Sequence, residues 1–443
     1  MSATVSKQEK RWALRWAVVV VVLTCLPYVL AWQLAPEGTQ YTWLLINHYD
    51  GESYYAKMQQ GARGDWLFHL PFTPEPHAGA FIFTFYLALG HLASALSLPI
   101  PLAYHLARAT AGLFLLLVAY RFLARFSDRV STRRLAFLLL SFSAGLGWLF
   151  APLGLTLADL WVAEGFTFLS ILANPHFPLA MGLMLLAFGN VLDSQHGDAR
   201  PARLAGAAAL GLVLAMVQPF AVPIVIVVLG VYLCVLALRD HRLPWAPLAV
   251  TAATGLGAAP VLLYDLYVYR TNPAFAAWSA QNVTASLPPW DYALGYGLVL
   301  LLAIPGIAVA VRRRQSTDLF LLAWLGTVIV LLYVPFALQR RFITGLHIPL
   351  VLLATIGIEQ VLWPKLAARR RGLITGLIIG ASALTNLFVP MVAVLGVAQG
   401  GNPLVMSQDE AAAYAWLARN TAWTDTVLVP VDSGQLVPPG AGN

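Results

Sequence analysis

Two carboxylates lie two residues apart in the segment His48-Tyr49-Asp50-Gly51-Glu52-Ser53-Tyr54-Tyr55-Ala56-Lys57, just beyond an apolar run that begins near Trp12. At a membrane surface the low dielectric raises a carboxylate's basicity. Asp50 and Glu52 therefore suit general-base removal of a proton from a hydroxyl or amine, or ligation of a cation. The same residues also fit a solvated turn in which Glu52 caps a helix from Tyr54 to Gly61. Farther along, Phe72-Thr73-Pro74-Glu75-Pro76-His77 sets an acid and an imidazole between prolines, whose fixed φ makes a rigid, extended turn. Glu75 and His77 read either as shaping a substrate site or as part of an interfacial loop anchored by Trp66 and Phe72.

A second cluster combines Asp159 and Glu164 with Asn174-Pro175-His176. Oxygen and imidazole groups are the ligand types of a divalent cation, although this spacing matches no known metal pattern. Asn174 as helix cap with Pro175 in the first turn accounts for the second half of the cluster equally well. The third cluster is Gln339-Arg340-Arg341-Phe342. A guanidinium fork matches phosphate oxygens in shape and charge, so Arg340 and Arg341 point to a lipid phosphate or diphosphate, with ordinary anionic head groups as the alternative.

The elements that position these residues are membrane helices. Of the 443 residues, 59% are hydrophobic and 11% charged, and no water-soluble domain tolerates that balance. The formal charge of +7 is dispersed in short basic clusters between apolar runs, which excludes a nucleic-acid surface. Cys25 and Cys234 both fall inside apolar runs, leaving no disulfide framework or thiol metal site. Runs long enough to span begin near Trp12, Leu102, Leu135, Ser170, Leu204, Ala221, Leu243, Tyr292, Leu319, Gly345 and Leu373. The expected fold is an all-α, polytopic bundle of about 11 transmembrane helices.

The first run lacks a small-residue cleavage site and reads as a retained helix. Placing the N-terminus in the cytoplasm puts Lys7 to Arg15, Arg121 to Arg134, Arg200 and Arg203, Arg239 and Arg242, Arg312 to Arg314 and Lys365 to Arg371 inside, which is most of the 27 basic residues. Asp50, Glu52, Glu75, Asp159, Glu164 and the C-terminus then face outward from a cell (plasma) membrane. His77 to Leu98 is expected to lie in or re-enter the outer interface through Phe81, Phe83, Phe85 and Tyr86, because a crossing there would export the Arg121 to Arg134 cluster. The first outer loop, with such interfacial helices, runs to roughly 65 residues, and long loops in compact proteins are usually functional.

A first helix, a long outer loop opening with Asp50-Gly51-Glu52, a Tyr-Ala-Lys stretch, Gly61 to Trp66, a proline-rich step into an aromatic helix, acids in the second outer loop and a late Arg340-Arg341 together resemble the GT-C superfamily. These are polyprenyl-phosphate-dependent glycosyltransferases, including protein O-mannosyltransferases and lipid A aminoarabinose transferases. The resemblance covers most of residues 12 to 400. It implies an inverting transfer in which a sugar leaves a lipid-linked phosphate donor while an acid of the first outer loop deprotonates an acceptor. Asp50 matches that acid by position. Glu52 matches less closely, since Gly51 separates two acids that are adjacent in many members. Arg340 and Arg341 would hold the departing lipid phosphate, and Asp159, Glu164 and His176 would bind acceptor or a divalent cation.

On this reading residues 1–400 form the transmembrane catalytic domain. Residues 401–443 form a short outer segment in which Glu410 to Asn420 and Thr426-Val427-Leu428-Val429 resemble the first helix and strand of a soluble α/β domain, cut short. The rival function is a transporter or lipid flippase, whose polar residues would line a path through the bundle, yet the acids here crowd one face. A noncatalytic scaffold would need neither the arginine pair nor the acidic loop.

Overall fold

The computed structural model describes residues 5–442, and the chain is 74% helical with almost no sheet. Among these residues nine helices are long and apolar enough to cross a membrane, from Lys7–Leu34 to Ala368–Ala398. Two shorter apolar helices, Pro201–Val217 and Ser316–Leu331, complete a one-to-one correspondence with the apolar runs of the sequence. Hydrocarbon supplies no partner for a backbone N–H or C=O, so such a run closes its hydrogen bonds within a helix.

The helices that frame the site are α1 (Lys7–Leu34), α2 (His48–Ala62), α3 (Thr84–Ala95), α4 (Ile100–Leu123) and α5 (Val130–Phe142). A capping box starts α1: the Ser6 hydroxyl accepts from the Glu9 amide at 3.2 Å and the Glu9 carboxylate accepts from the Ser6 amide at 3.0 Å. Glu9 also accepts from Arg133 at 2.9 Å and from Tyr120 at 3.2 Å, tying α1 to α5 and α4. The 12 residues of α3 make a rod of about 18 Å, too short for a hydrocarbon core of about 30 Å. It packs on α2 at near backbone contact: a Cβ at Gly61 would lie 2.1 Å from the Leu87 carbonyl oxygen, and one at Gly90 would lie 2.0 Å from that of Met58. Small residues permit this approach, which fixes α2 on α3.

The polar ends of the bundle differ. At one end Arg125 pairs with Asp193 at 2.6 Å, Arg133 with Glu9, Arg313 with Asp318 at 2.5 Å, and Arg239 reaches Ser316 at 3.3 Å. The other end carries α2, α3 and the C-terminal residues. There β1 (Thr39–Tyr41) pairs antiparallel with β2 (Val405–Ser407), Gln40 opposite Met406. The helix Gln408–Asn420 follows β2, and the segment beyond it reaches α2: Gln59 donates to the Pro439 carbonyl at 3.0 Å and Arg63 to that of Gly442 at 2.6 Å. The helix expected at Glu410 to Asn420 is present, whereas Thr426 to Val429 forms no strand. A strand needs a ladder partner, and among the described residues the one sheet consists of β1 and β2 alone.

Candidate active site

Helix α2 begins at His48, preceded by Asn47 in the left-handed region at φ 51°, a conformation that asparagine tolerates. Glu52 thus lies inside the helix and does not cap it. Residues two apart on a helix point about 200° away from each other. Asp50 is accordingly exposed, while Glu52 is only 5% exposed and lies close to Tyr55 and Tyr414. Burial pushes the Glu52 carboxyl up to about 8. The two acids that are neighbours in sequence face different surroundings.

Asp50 shares its helix face with Tyr54 and Lys57, at spacings of four and seven residues. Lys57 is buried; its ammonium donates to the Ser53 carbonyl and hydroxyl, both at 3.1 Å. It lies 4.6 Å from the centre of the Phe83 ring, 5.3 Å from Tyr54 and 5.5 Å from Phe68. Burial draws this amine down to about 7, with Asp50 opposing and Arg341 adding to the fall. Tyr54 stacks on Tyr86 at 4.4 Å, and the Tyr86 hydroxyl is hydrogen-bonded to Nδ1 of His176 at 2.6 Å. His176 is the first residue of a spanning helix, and both Lys57 and Arg341 act on it electrostatically.

The arginine pair sits on a 3-10 turn, Gln339–Ile343. The Arg340 amide donates to the Thr284 carbonyl at 3.1 Å, and the Ser286 amide to the Gln339 side chain at 3.2 Å. Gly345, at φ +79°, then turns the chain toward the helix His347–Gly357, and its amide donates to the Glu164 carbonyl at 3.3 Å. The turn is thereby joined to the segment that carries Glu164. The Arg340 guanidinium lies 4.4 Å from the Trp161 ring centre and that of Arg341 5.8 Å from Phe220. Each Nε is buried without a hydrogen-bond partner, and among the described residues neither guanidinium forms an ion pair. Glu164 is 5% exposed; burial pushes its carboxyl up, against the pull of Arg341 and Arg340, with Asp50 also pushing up.

Asp50, Glu164, His176, Arg340 and Arg341 thus converge from separate parts of the chain. Asp159 does not join them: one of its oxygens accepts from the Gly145 amide at 3.0 Å and the Gly147 amide at 2.9 Å, fastening the break that follows α5. Glu75 and His77 stand apart as well, with the rings of Phe68 and Phe275 between His77 and Lys57. The Leu70 amide donates to Nε2 of His77 at 2.9 Å, so Nδ1 carries the proton and donates to the Glu75 carbonyl at 2.7 Å. Both ring nitrogens are engaged in shaping the loop. Pro175, and not Asn174, occupies the cap position before His176, and the Asn174 side-chain oxygen is buried without a partner. No three His, Cys, Asp or Glu side chains among the described residues are grouped to hold a metal ion. The Asp159, Glu164 and His176 set is therefore not assembled as cation ligands.

Sequence reasoning gave no site role to Lys57, Tyr54, Tyr86 or Trp161. Lys57 and Tyr54 had a usable signal, the helical spacing from Asp50; the other two are brought in by long-range contacts only.

No protein-family model matches the chain, and no curated protein matches it in sequence. Among solved structures, the Archaeoglobus fulgidus oligosaccharyltransferase in complex with zinc and sulfate superposes on 95% of this chain with a TM-score of 0.52 at 14% identity. ArnT from Cupriavidus metallidurans, an aminoarabinose transferase, superposes on 96% of this chain and 84% of its own, with a TM-score of 0.55 at 15% identity. This chain spans 61% of the length of the archaeal enzyme. Both are GT-C membrane glycosyltransferases, and the present chain has their fold.

Proposed function

We propose that this protein is an inverting membrane glycosyltransferase that moves a sugar from a polyprenyl-phosphate-linked donor to an acceptor, with Asp50 as general base and Arg340 and Arg341 on the lipid phosphate. The observation that carries this reading is an exposed carboxylate within electrostatic reach of cationic groups that have no carboxylate of their own. As the acceptor oxygen or nitrogen attacks the anomeric carbon, Asp50 takes the acceptor's proton and the bond from that carbon to the phosphate oxygen breaks. The electron pair leaves on the phosphate, whose charge grows from one to two. A guanidinium fork stabilises that gain more than it stabilises the bound donor, which is the condition for catalysis. Glu164, set close to both Asp50 and Arg341, is the better second acid for the acceptor, and Glu52 is placed outside the proton transfer.

The fold shared with lipid-linked-donor glycosyltransferases supports the substrate class. An apolar groove of about 430 Å³ between Ala221–Asp240 and Ser316–Leu331, lined by Val227, Val231, Leu322, Gly326 and Leu331, suits a prenyl chain. By the excess of Lys and Arg at the opposite end, the site faces the outside of the plasma membrane and α1 starts in the cytoplasm. The residues assigned to this machinery all lie within 1–400, and Pro439 and Gly442 of the C-terminal segment brace α2 from the outer side.

The test is release of polyprenyl phosphate from candidate donors by the purified chain in lipid nanodiscs. Asp50→Asn is expected to lower turnover about 100- to 10,000-fold with donor affinity intact, since a base is lost without a change of shape. Near-normal turnover in Asp50→Asn removes Asp50 from the mechanism, and binding without release from any donor argues for a flippase.

A further inference from the structure

Lys57 has no place in the chemistry above, yet it is more deliberately housed than either arginine. Three rings surround its Nζ, which is hydrogen-bonded to the Ser53 carbonyl and hydroxyl and has no further protein partner among the described residues. Both Asp50, the proposed base, and Arg341, a proposed phosphate ligand, lie within electrostatic reach of it. We infer that Lys57 is a third cationic ligand of that phosphate and acquires its proton as the phosphate binds; this rests on the donor reading above. A buried ammonium beside an arginine is costly until an anion arrives, and an amine that stays neutral in the free enzyme avoids that cost. Burial does hold the free Lys57 amine down near 7. The proton comes from solvent, and the amine, one N–H short of an ammonium, becomes a three-donor cation facing the phosphate oxygens.

The groups facing Lys57 leave it as the titrating one above neutrality. From α2 come Asp50, Ser53 and Tyr54; from the first loop and the entry to α3, the uncharged rings of Phe68 and Phe83; from the other sides, Tyr86, His176 and Arg341. Burial holds the hydroxyls of Tyr54 and Tyr86 well above the ordinary tyrosine range.

Binding of farnesyl phosphate to the full chain in neutral detergent, measured between pH 7.5 and 9.5, tests the inference. The ligand is a constant dianion in that window, its second pKa being about 6. Affinity is expected to fall as pH rises, approaching tenfold per unit, and calorimetry in two buffers of different ionisation enthalpy should register close to one proton taken up per phosphate at about pH 8.5. Lys57→Arg should bind without the pH dependence, because arginine is already charged. Lys57→Met, which keeps the packing, should bind about tenfold more weakly at pH 7.5 and also without pH dependence. A flat wild-type profile, or a slope that survives in Lys57→Met, overturns the role of Lys57 and leaves the arginine clamp standing. Absence of binding by the wild type at every pH brings down the donor reading and this inference together.

Discussion

The two polar ends of this bundle handle positive charge in opposite ways. At the basic end arginines are spent on carboxylates of the same chain: Arg133 on Glu9, Arg125 on Asp193 and Arg313 on Asp318. At the α2 end Lys57, Arg340 and Arg341 rest on aromatic rings, and among the described residues none has a carboxylate within ion-pair distance, although Asp50 and Glu164 are close enough to act on them. Rings shield a cation from water without neutralising it. Charge that is cancelled holds helices together; charge left uncancelled near a surface is available to an anion from outside.

The largest expected effect breaks the comparison at the basic end. Glu9→Gln strands Arg133, whose side chain is 4% exposed, and removing one partner of a buried pair costs about 3–5 kcal/mol. Thermal unfolding in detergent should show a large drop, while donor affinity in folded protein stays at the wild-type value. A matching loss of affinity would mean that the ends are not separate. At the α2 end the pattern reverses. Arg341→Gln should leave unfolding almost unchanged and weaken donor affinity by about 1.5–3 kcal/mol, on the order of tenfold to a hundredfold, with Arg341→Lys in between. Equal affinities of the three proteins in neutral detergent would end the phosphate-clamp assignment.

Glu52 sharpens the comparison within α2. Its folded-state carboxyl stands near 8, above its unfolded value, so its contribution is complete below about pH 4.5 and is lost as pH rises through 8. Wild-type stability should decline across about pH 5–8 by no more than about 1.4 kcal/mol per unit, and Glu52→Gln should flatten that decline without lowering turnover. Lost turnover in Glu52→Gln would return Glu52 to the mechanism. The smallest effect is at Trp161: replacing it with leucine removes one ring under Arg340 and should weaken donor affinity by about 0.5–1 kcal/mol, a few-fold in a binding titration.

Hydropathy and charge, read along the chain alone, determined the helical membrane fold and the positions of its apolar helices. Those properties are local: a run of about 20 apolar residues has one stable form in hydrocarbon whatever its neighbours do. Asp50 stood out as a candidate on equally local grounds, an acid in the loop that follows the first apolar run. Tertiary structure decided the rest. Asp50 and Glu52 were indistinguishable as neighbours until the start of α2 at His48 set them on different faces. Asp159 had the composition of a ligand, but the chain folded two backbone amides onto it. Arg341 comes within electrostatic reach of Lys57, and both arginines within reach of Glu164, through packing alone: the Gly345 amide ties the arginine turn to the Glu164 carbonyl, and Gly61 and Gly90 let α2 press against α3. Spacing along a chain carries which groups share one helix face, whereas contacts between segments hundreds of residues apart depend on packing that no local pattern encodes.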